Sequence, residues 1–427
     1  TVAKTALWIA ESQVNSLVNA ILQEKRAFLP LKTSANIVEG NALRLDWATL
    51  QDLTPRPPLL AGEGELSLFE GFYTKVDGTA HKYDYIMGNP PFVGSKYSSE
   101  SQKADMDFVF KGATIKYRAL DYVSCWYKMA LDLIKGTSAK CALVSTNSIT
   151  QGEQVAAIFK YLHEHWKIEI DFAYQSFVWD SELKDLMAHV HCVVIGFSTN
   201  PPKLRKLYTP EGLKLVENIN FYLKPAPNFF IEAHKEPICK DVPMMITGNM
   251  PQDDGNLILS SEGRKEFLKR EPKAQKFIRR FMGAEEFINK LPRYCLWLVD
   301  ATPEELHKMP AVMEKIKAVK EFRLASTRGA TRKLAETSWL FGEIRQPTGN
   351  FIVIPKTSSE NRFYIPIDWL DASIIPGDAL RIIPDATLYH FGVLTSRVHM
   401  AWMRATAGRL KSDYRYSNTV VYNNFVW

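Results

Sequence analysis

The chain has 427 residues, 46% of them hydrophobic and 23% charged, and its formal net charge at pH 7 is +6. This length and composition are typical of a globular protein with two or three domains, and no apolar run is long enough to cross a bilayer. The five cysteines are far apart, which argues against a zinc site or a disulfide framework and favours a reducing, cytoplasmic compartment, while the modest positive charge allows a polyanionic partner.

Predicted helices and strands alternate through the first 200 residues. The patterns predict a helix over residues 3–24, a strand at residues 36–38 and a surface loop over residues 52–80. The next elements in chain order are a strand at YDYIM, a helix over 119–135, a strand at KCALVST, a helix at about 152–165, and strands at KIEIDFAY and HVHCVVIGFS. This alternation predicts an α/β sheet with helices on both faces.

Beyond the turn-rich stretch TNPPKLRKLYTPEG the periodicity is mixed and basic residues cluster. Residues 265–281 and 314–334 each hold seven Lys or Arg and two Glu. Such runs are usually solvated helix faces, and phosphate contacts are the alternative. A long helix is predicted over residues 386–407. The nine histidines have no ligand-like spacing to Cys or acidic residues, so no metal site is predicted.

The stretch GNPPF, residues 88–92, ends the YDYIM strand. Two prolines stiffen the backbone and remove two N–H donors, so the Asn89 side-chain oxygen and the Pro90 carbonyl are two acceptors held close together. Such a pair suits a group with two N–H donors, such as the exocyclic amine of adenine, and Phe92 offers a face on which a base can stack. The alternative is a plain strand-ending turn, since Asn-Pro and Pro-Pro are common turn formers.

Several longer stretches extend this motif into a resemblance. IMGNPPFVGSK, LDYVSCWYKMA, ALVSTNSITQGEQV and FAYQSFVWDSE with AHVHCVVIGF resemble the amino-methyltransferases of DNA with the gamma-type order of motifs. GNMPQDDGNLIL, IPKTSSENRFYIPI and RYSNTVVYNNFVW are similar to the target-recognition region of one branch, the MmeI-like restriction–modification enzymes. The resemblance covers essentially the whole chain.

The fold that this resemblance implies is α/β, an incomplete Rossmann-like class I methyltransferase sheet followed by an α+β target-recognition domain and the start of a helical region. Its implied boundaries are a methyltransferase domain over 1–200, a linker over 201–244, a target-recognition domain over 245–385 and a helical segment contacting the DNA backbone over 386–427.

The implied activity is methyl transfer from S-adenosylmethionine to N6 of a flipped adenine in double-stranded DNA, within a restriction–modification system. The alternative is a non-catalytic DNA-binding fragment that keeps the base pocket and the recognition region. An RNA or protein-amide methyltransferase is a weaker third choice, since the long basic C-terminal half argues against the protein-modifying version.

The resemblance assigns roles to individual residues of the first half. Asn89, Pro90, Pro91 and Phe92 match the catalytic tetrapeptide. Phe177, or failing that Trp179, matches the aromatic expected on the other face of the flipped base, with strand-edge packing as the alternative. Asn41 stands where the family has a polar residue that contacts the adenine of the cofactor, with a solvated strand-end Asn as the alternative.

The second half is predicted to carry the DNA contacts, which divide into three groups. Base readout is assigned to Arg323, Arg328, Arg332, Arg345 and Arg362. Backbone contacts are assigned to Arg404, Arg409, Lys411 and Arg415. Lys265, Lys269, Lys273 and Lys276 follow helical spacing and are expected to meet phosphate or solvent.

One part of the family pattern is absent from the printed sequence. The FxGxG-type turn that cradles the methionine half of the cofactor is not found, and the resemblance places it upstream of Thr1, together with an N-terminal nuclease domain. The expectation is therefore a piece of a longer enzyme that has an incomplete cofactor site and is inactive by itself, with the remaining part of the same enzyme as a partner.

Overall fold

The computed structural model describes residues 38–47, 83–179 and 190–427. The predicted helix over 3–24, the loop over 52–80 and the 36–38 strand, apart from Val38, lie outside these ranges. The chain divides into two compact units, one of residues 1–145, 161–175 and 194–219, the other of residues 146–160, 176–193 and 220–427. None of the helices within the described ranges combines the length and apolarity that a bilayer-spanning helix needs.

A six-stranded sheet with the order β1-β2-β4-β3-β5-β6 organises the first part of the chain. Its strands are β1 (Tyr85–Gly88), β2 (Lys140–Thr146), β3 (Glu169–Trp179), β4 (Val190–Ser198), β5 (Arg205–Thr209) and β6 (Gly212–Val216). Strands β1 and β2 are parallel, in a register that runs from Tyr85 opposite Lys140 to Gly88 opposite Leu143. Alternate residues of β2 are buried, the period that a pleated strand imposes. The α/β prediction is confirmed.

Helices connect these strands. They are α1 (Glu100–Val109), α2 (Ser124–Ile134) and α3, which consists of Gly152–Gln154, π-helical turns over Val155–Lys160, and Tyr161–Trp166. The Ser99 hydroxyl accepts a hydrogen bond from the Gln102 N–H, and the Gln102 side chain accepts from the Ser99 N–H, so α1 begins with a capping box. The predicted helix over 119–135 is shorter than expected and begins at Ser124, because residues 117–119 form a separate 3-10 turn.

The stretch predicted as a linker, residues 201–244, differs from that prediction at its start. Strand β5 pairs in parallel with β3, and β6 returns antiparallel to β5. Gly212 closes this hairpin with φ of +118°, a conformation that side chains with a Cβ rarely adopt. Residues 205–216 therefore extend the six-stranded sheet.

The second unit contains three smaller sheets. One has the order β14-β9-β10-β8, one β13-β11-β15-β7 and one β12-β17-β16. Their strands are β7 (Ile246–Thr247), β8 (Ile258–Ser260), β9 (Ile278–Met282), β10 (Arg293–Leu296), β11 (Phe351–Pro355), β12 (Thr357–Ser358), β13 (Asp368–Leu370), β14 (Ile374–Pro376), β15 (Leu380–Pro384), β16 (Gly408–Leu410) and β17 (Asp413–Arg415).

Helices of the second unit cover these sheets. They are α4 (Ser261–Arg270), α5 (Ala284–Asn289), α6 (Pro303–His307), α7 (Pro310–Leu324), α8 (Gly329–Lys333), α9 (Leu388–Leu394) and α10 (Arg397–Thr406). One core packs α7 against the sheet that contains β9 and β10, and another packs α9 and α10 against β11 and β15. Helices and mainly antiparallel strands together give the α+β character expected of this region.

Two predicted helices are interrupted. The helix expected over 386–407 is two helices, α9 and α10, because Ser396 is extended and its hydroxyl caps the second helix by accepting from the His399 N–H. A β-hairpin, β16 and β17, comes next, so residues 386–427 are not simply helical. The helical spacing expected from Lys265 to Lys276 also stops, since α4 ends at Arg270 and Pro272 begins a short 3-10 helix.

Candidate functional site

The predicted catalytic loop leaves the sheet at the carboxyl end of β1. Gly88 is the last residue of the strand, Asn89 and Pro91 are exposed, Pro90 is buried and Phe92 is partly exposed. Among the residues that the structure describes, none forms a hydrogen bond with the Asn89 side-chain amide or with the Pro90 carbonyl. Carboxyl ends of parallel strands are where open α/β sheets bind ligands, so this loop stands at the expected edge of the sheet. Its two acceptors receive no hydrogen bond from the described part of the chain.

The loop is anchored on its far side. The Val93 carbonyl accepts a hydrogen bond from the Tyr122 N–H at 2.9 Å, which ties the loop to the start of α2. The Gly94 carbonyl accepts from the Tyr97 N–H at 2.9 Å and closes the next turn. Two prolines directly after Asn89, and these two hydrogen bonds a few residues further along the chain, hold Asn89 on a stiff segment of backbone.

A cavity of about 490 Å³ opens beside the loop. Its walls are formed by the turn at 40–42, the loop at 88–91 and three side chains of the first unit. These side chains are Gln102 on α1, Tyr122 just before α2 and Trp126 on α2. Asn41 and Asn89, which sequence reasoning assigned separately to the cofactor and to catalysis, therefore line the same cavity. The volume lies within the usual range for small-molecule sites.

A buried carboxylate organises one wall of this cavity. Asp105 accepts hydrogen bonds from Asn41 Nδ2 at 3.0 Å, Arg44 Nε at 2.7 Å and Tyr122 Oη at 2.8 Å. Burial acts to raise the pKa of Asp105, but hydrogen bonds from Asn41, Tyr122 and Arg44 outweigh it, and the pKa lies below its ordinary value. Asp105 is therefore an anion that fixes the turn carrying Asn41.

Asn41 itself is held in one orientation. Its Oδ1 accepts from the Leu43 N–H at 3.0 Å while its Nδ2 donates to Asp105. A side-chain amide has two N–H donors, so one remains for a ligand. Sequence reasoning missed Asp105 and Arg44, because they lie 61 residues apart and no local motif joins them. Tyr122 falls inside the LDYVSCWYKMA stretch but was not singled out.

Phe177 and Trp179 lie at the end of β3 and belong to the second unit. Their ring centroids are 6.2 Å apart at an angle of 37°. Trp179 is 45% exposed and Phe177 is half-buried. Exposed aromatic surface at a strand end is available for stacking. The assignment of either ring to a flipped base stays a prediction.

The structure corrects the assignment of Arg323. This residue is fully buried at the end of α7, and its guanidinium donates five hydrogen bonds to backbone carbonyls. The acceptors are the carbonyls of Pro251, Gln252, Leu334, Thr337 and Leu340, at 2.8 to 3.1 Å. A guanidinium has five N–H donors, so none is left to reach a base. Arg323 holds three segments of the second unit together instead.

The other predicted base readers differ in exposure. Arg328 and Arg332 are exposed, although Arg332 donates to the Ser326 and Thr327 carbonyls at 2.8 and 2.9 Å. Arg345 is half-buried, is ion-paired with Glu343 and donates to the Gly248 carbonyl. Arg362 is half-buried. Exposure of Arg328 and Arg332 is compatible with the predicted base contacts, whose assignment stays a prediction.

The predicted backbone-contacting cations lie on α10 and on the hairpin after it. Arg404 stacks over the exposed Phe363 ring, with 5.1 Å from its guanidinium carbon to the ring centroid. Arg409 lies over the Tyr414 ring at 3.9 Å and pairs with Glu360 at 3.1 Å. The remaining two, Lys411 and Arg415, are exposed. Phosphate contacts by these four residues stay a prediction.

The basic run before them is also exposed. Lys265, Lys269 and Lys273 face solvent, and Lys276 forms an ion pair with Glu305. An exposed pair of this kind contributes little to stability, so it does not prevent Lys276 from exchanging its partner for a phosphate.

Comparisons with known proteins match two parts of the chain to two different domains. Residues 1–209 match the family described as the DNA-methyltransferase domain of MmeI, and residues 225–427 match the target recognition domain of MmeI. DNA methyltransferase A of Bacillus subtilis (strain 168) is 39% identical over 426 residues, which are 99% of this chain and 45% of that protein. The structure of the Type IIL restriction-modification enzyme MmeI in complex with DNA is 38% identical with a TM-score of 0.84, over 99% of this chain and 53% of that one.

The chain thus spans about half the length of the relatives that it matches. Both halves of it match domains of one enzyme in the same order, and the whole chain superimposes on that enzyme. The chain therefore belongs to the MmeI-like family, with a methyltransferase domain followed by a target recognition domain.

Proposed function

We propose that this chain carries the methyl-transfer and target-recognition parts of a restriction–modification enzyme that methylates N6 of adenine in double-stranded DNA. The observation that carries the proposal is a pair of acceptors, Asn89 Oδ1 and the Pro90 carbonyl, to which none of the described residues donates. They lie on a stiff loop beside a cavity that Asn41 also lines. Similarity to DNA methyltransferase A and to MmeI supports the reaction class.

The cavity residues fit the adenosyl part of S-adenosylmethionine. Side-chain amides of Asn41 and Gln102 suit the polar edge of a purine, and the rings of Tyr122 and Trp126 offer flat apolar faces. The Asp105 network fixes Asn41 so that its remaining N–H is directed without a further loss of side-chain entropy. When bound, the cofactor supplies an electrophilic methyl group.

Asn89 and Pro90 act on the nucleophile. The exocyclic nitrogen of adenine is a poor nucleophile because its lone pair is delocalised into the ring. Hydrogen bonds from its two N–H groups to Asn89 Oδ1 and the Pro90 carbonyl favour a pyramidal nitrogen whose lone pair is freer. Both acceptors also stabilise the positive charge that develops on this nitrogen as the methyl group is transferred. The positively charged nitrogen that results then loses one proton to water, so no strong general base is required.

The target base has to leave the duplex before it can meet this loop. Extrusion of the base costs a few kcal/mol of stacking and pairing, which stacking against aromatic side chains offsets. Phe92 is the aromatic residue of the catalytic loop, and we assign the second stacking contact to Phe177, or failing that to Trp179. Readout of the surrounding sequence is assigned to residues 225–427, the part of the chain that matches a target recognition domain.

The test is single-turnover methyl transfer by the full-length protein carrying Asn89→Ala. We expect the rate to fall at least about a hundredfold, the usual cost of removing one contact that strengthens in the transition state. Affinity for duplex DNA should stay nearly unchanged, because it comes mostly from phosphate contacts. Asn218→Ala is the matched control, since Asn218 is exposed and outside the cavity.

Two outcomes contradict the proposal. A wild-type single-turnover rate in the Asn89→Ala protein would remove Asn89 from catalysis. A wild-type protein that binds duplex DNA but transfers no methyl group to adenine N6 would favour the alternative of a DNA-binding module without chemistry.

A further inference from the structure

A group of cations meets at the junction of two sheets in the second unit. Strand β11 ends at Pro355, and the chain passes through Lys356 into β12. The Lys356 N–H donates to the Ala379 carbonyl at 3.0 Å, and its carbonyl accepts from the Tyr416 N–H at 2.8 Å. Lys356 is thereby fixed between the sheet of β11 and β15 and the sheet of β12 and β17.

Strand register brings two arginines to the same place. Arg381 lies opposite Ile354, two residues before Lys356, so Arg381 and Lys356 continue one face of the sheet. Arg415 lies opposite Thr357, the residue after Lys356. We call the site formed by Lys356, Arg381 and Arg415 the Lys356 notch.

The notch is backed by the hydrophobic core. Ile352, Ile354 and Ile383 on the same face of the sheet are fully buried, and Arg381 and Lys356 are half-buried beyond them. Arg381 donates through Nη1 to Thr247 Oγ1 at 2.5 Å, while its Nε is buried and lacks a hydrogen-bond partner.

Charge in the notch is unbalanced. Burial lowers the pKa of Lys356, and the neighbouring Arg381, Arg415 and Arg345 lower it further against Asp378. Burial likewise lowers the pKa of Arg381, with Arg415 and Arg345 adding to the effect against Glu153. Within the described ranges, no ion pair involves Lys356, Arg381 or Arg415, whereas Arg345 is paired with Glu343.

Like charges held together in a partly dehydrated site destabilise the folded state unless an anion joins them. A phosphate group has the charge and the oxygen acceptors that this arrangement lacks. The exposed side chain of Arg415 leaves the notch open to a large polyanion on one side.

We propose that the Lys356 notch binds one phosphate of the DNA backbone. The proposal rests on the proposed function for the DNA partner and adds Lys356 and Arg381 to the residues that hold it. Lys356 and Arg381 face the phosphate from the sheet and Arg415 faces it from the hairpin. The contact positions the second unit on the duplex and carries no base information of its own.

The first experiment needs no DNA. Thermal unfolding of the full-length protein is compared for wild type, Lys356→Gln and Arg381→Gln, without and with inorganic phosphate. Lys356→Gln should unfold at a higher temperature than wild type in phosphate-free buffer, because it relieves repulsion among the notch cations. Arg381→Gln also removes the hydrogen bond to Thr247, so this variant is compared only for its response to phosphate. Added phosphate should raise the unfolding temperature of wild type more than that of either variant.

The second experiment measures duplex affinity against salt concentration. Both variants should lose at least about tenfold in affinity, equally for methylatable and unrelated duplexes, and their log–log salt slope should fall by about one. Lys320→Gln is the control, because Lys320 is exposed on α7 and the charge change is the same. It should leave the unfolding temperature and the slope nearly as in wild type.

Three results overturn the proposal. An unchanged or lower unfolding temperature of Lys356→Gln in phosphate-free buffer would show that no repulsion is stored in the notch. Unchanged duplex affinity would remove the phosphate contact, and a loss confined to the methylatable duplex would make the notch a base reader. Failure of methyl transfer alone would contradict the proposed function and leave these readouts intact.

Discussion

Arg323 and Lys356 are two cations of the second unit that are taken out of water in opposite ways. Arg323 is fully buried and gives all five of its N–H donors to carbonyls, whereas Lys356 is half-buried and faces other cations. Burial is a shared property and does not separate them. The groups that surround each side chain decide its role. Complete hydrogen bonding indicates a structural residue, whereas an unpaired charge, or an acceptor to which no described residue donates, as at Asn89, indicates a residue that binds a ligand.

The largest effect is expected from replacing Arg323, the cation whose N–H donors are all hydrogen-bonded. Arg323→Met should destabilise the second unit by about 3–5 kcal/mol, because it removes all five hydrogen bonds that the fully buried guanidinium donates to backbone carbonyls. Urea unfolding monitored in the full-length protein measures the change. Arg332→Met, an exposed arginine whose two acceptors also lie on the surface, is the control and should cost less than about 1 kcal/mol.

If Arg323 instead reads a base, the Arg323→Met protein will keep its stability and change its methylation site. Mapping the methylated sites of this variant, at a temperature where it remains folded, separates the two roles.

A second buried group tests whether burial alone, without a neighbouring charge, has a measurable cost. His399 is fully buried beside the Tyr416 hydroxyl, at 2.7 Å from Nε2, and burial lowers its pKa from 6.5 to about 4. Since the unfolded chain binds the proton more tightly, the folded state loses stability as pH falls below 6.5, by about 2 kcal/mol at pH 5.

Replacing His399 by Gln removes this titration. The difference in unfolding free energy between wild type and His399→Gln should therefore change between pH 7 and pH 5 in the direction that disfavours wild type. Parallel pH profiles for the two proteins would show that His399 is not buried in its neutral form.

Asp105 extends the comparison to the cavity of the first unit. There the hydrogen-bonded carboxylate of Asp105 positions Asn41, which keeps one N–H donor for a ligand. Asp105→Asn removes the anion that holds Asn41, Arg44 and Tyr122, and we expect KM for S-adenosylmethionine to rise by about tenfold with a smaller change in kcat. Steady-state kinetics at saturating DNA measure the split. An equal loss in kcat and kcat/KM would instead assign Asp105 to the transition state.

The same group predicts a pH dependence. The folded-state pKa of Asp105 lies below its ordinary value of 3.8, so the stabilisation is present above that pH and is lost as pH falls through the folded-state pKa. Wild type should lose its stability advantage over Asp105→Asn only in this acidic window.

The smallest effect is expected at Lys356, the cation that faces other cations. The pKa of Lys356 is lowered from 10.5 by burial and by Arg381, Arg415 and Arg345, with Asp378 opposing. The unfolded chain therefore binds more protons, and wild type should gain stability relative to Lys356→Gln as pH rises toward 10.5. A fall in this difference over the same range would place a stabilising partner, not a repulsive one, beside Lys356.

Sequence alone determined the α/β alternation of the first unit and the loop at Asn89. Both depend on local chemistry: apolar periodicity sets the strands and helices, and two prolines after Asn89 stop a strand and stiffen the loop after it. It also determined the family resemblance, since the motifs are continuous stretches of chain. Exposure of Arg328, Lys411 and Arg415 was compatible with their basic, turn-rich surroundings.

Only tertiary structure decided which polar groups are satisfied. Arg323 and Arg328 look equivalent in a basic run, yet one is enclosed by carbonyls from 11 to 72 residues away. Asn41 meets Asp105, 64 residues on, and Lys356 meets Arg381 and Arg415 through strand register. Such pairings depend on how distant segments pack, and a hydrogen bond or a repulsion across that distance leaves no periodicity in the sequence that could predict it.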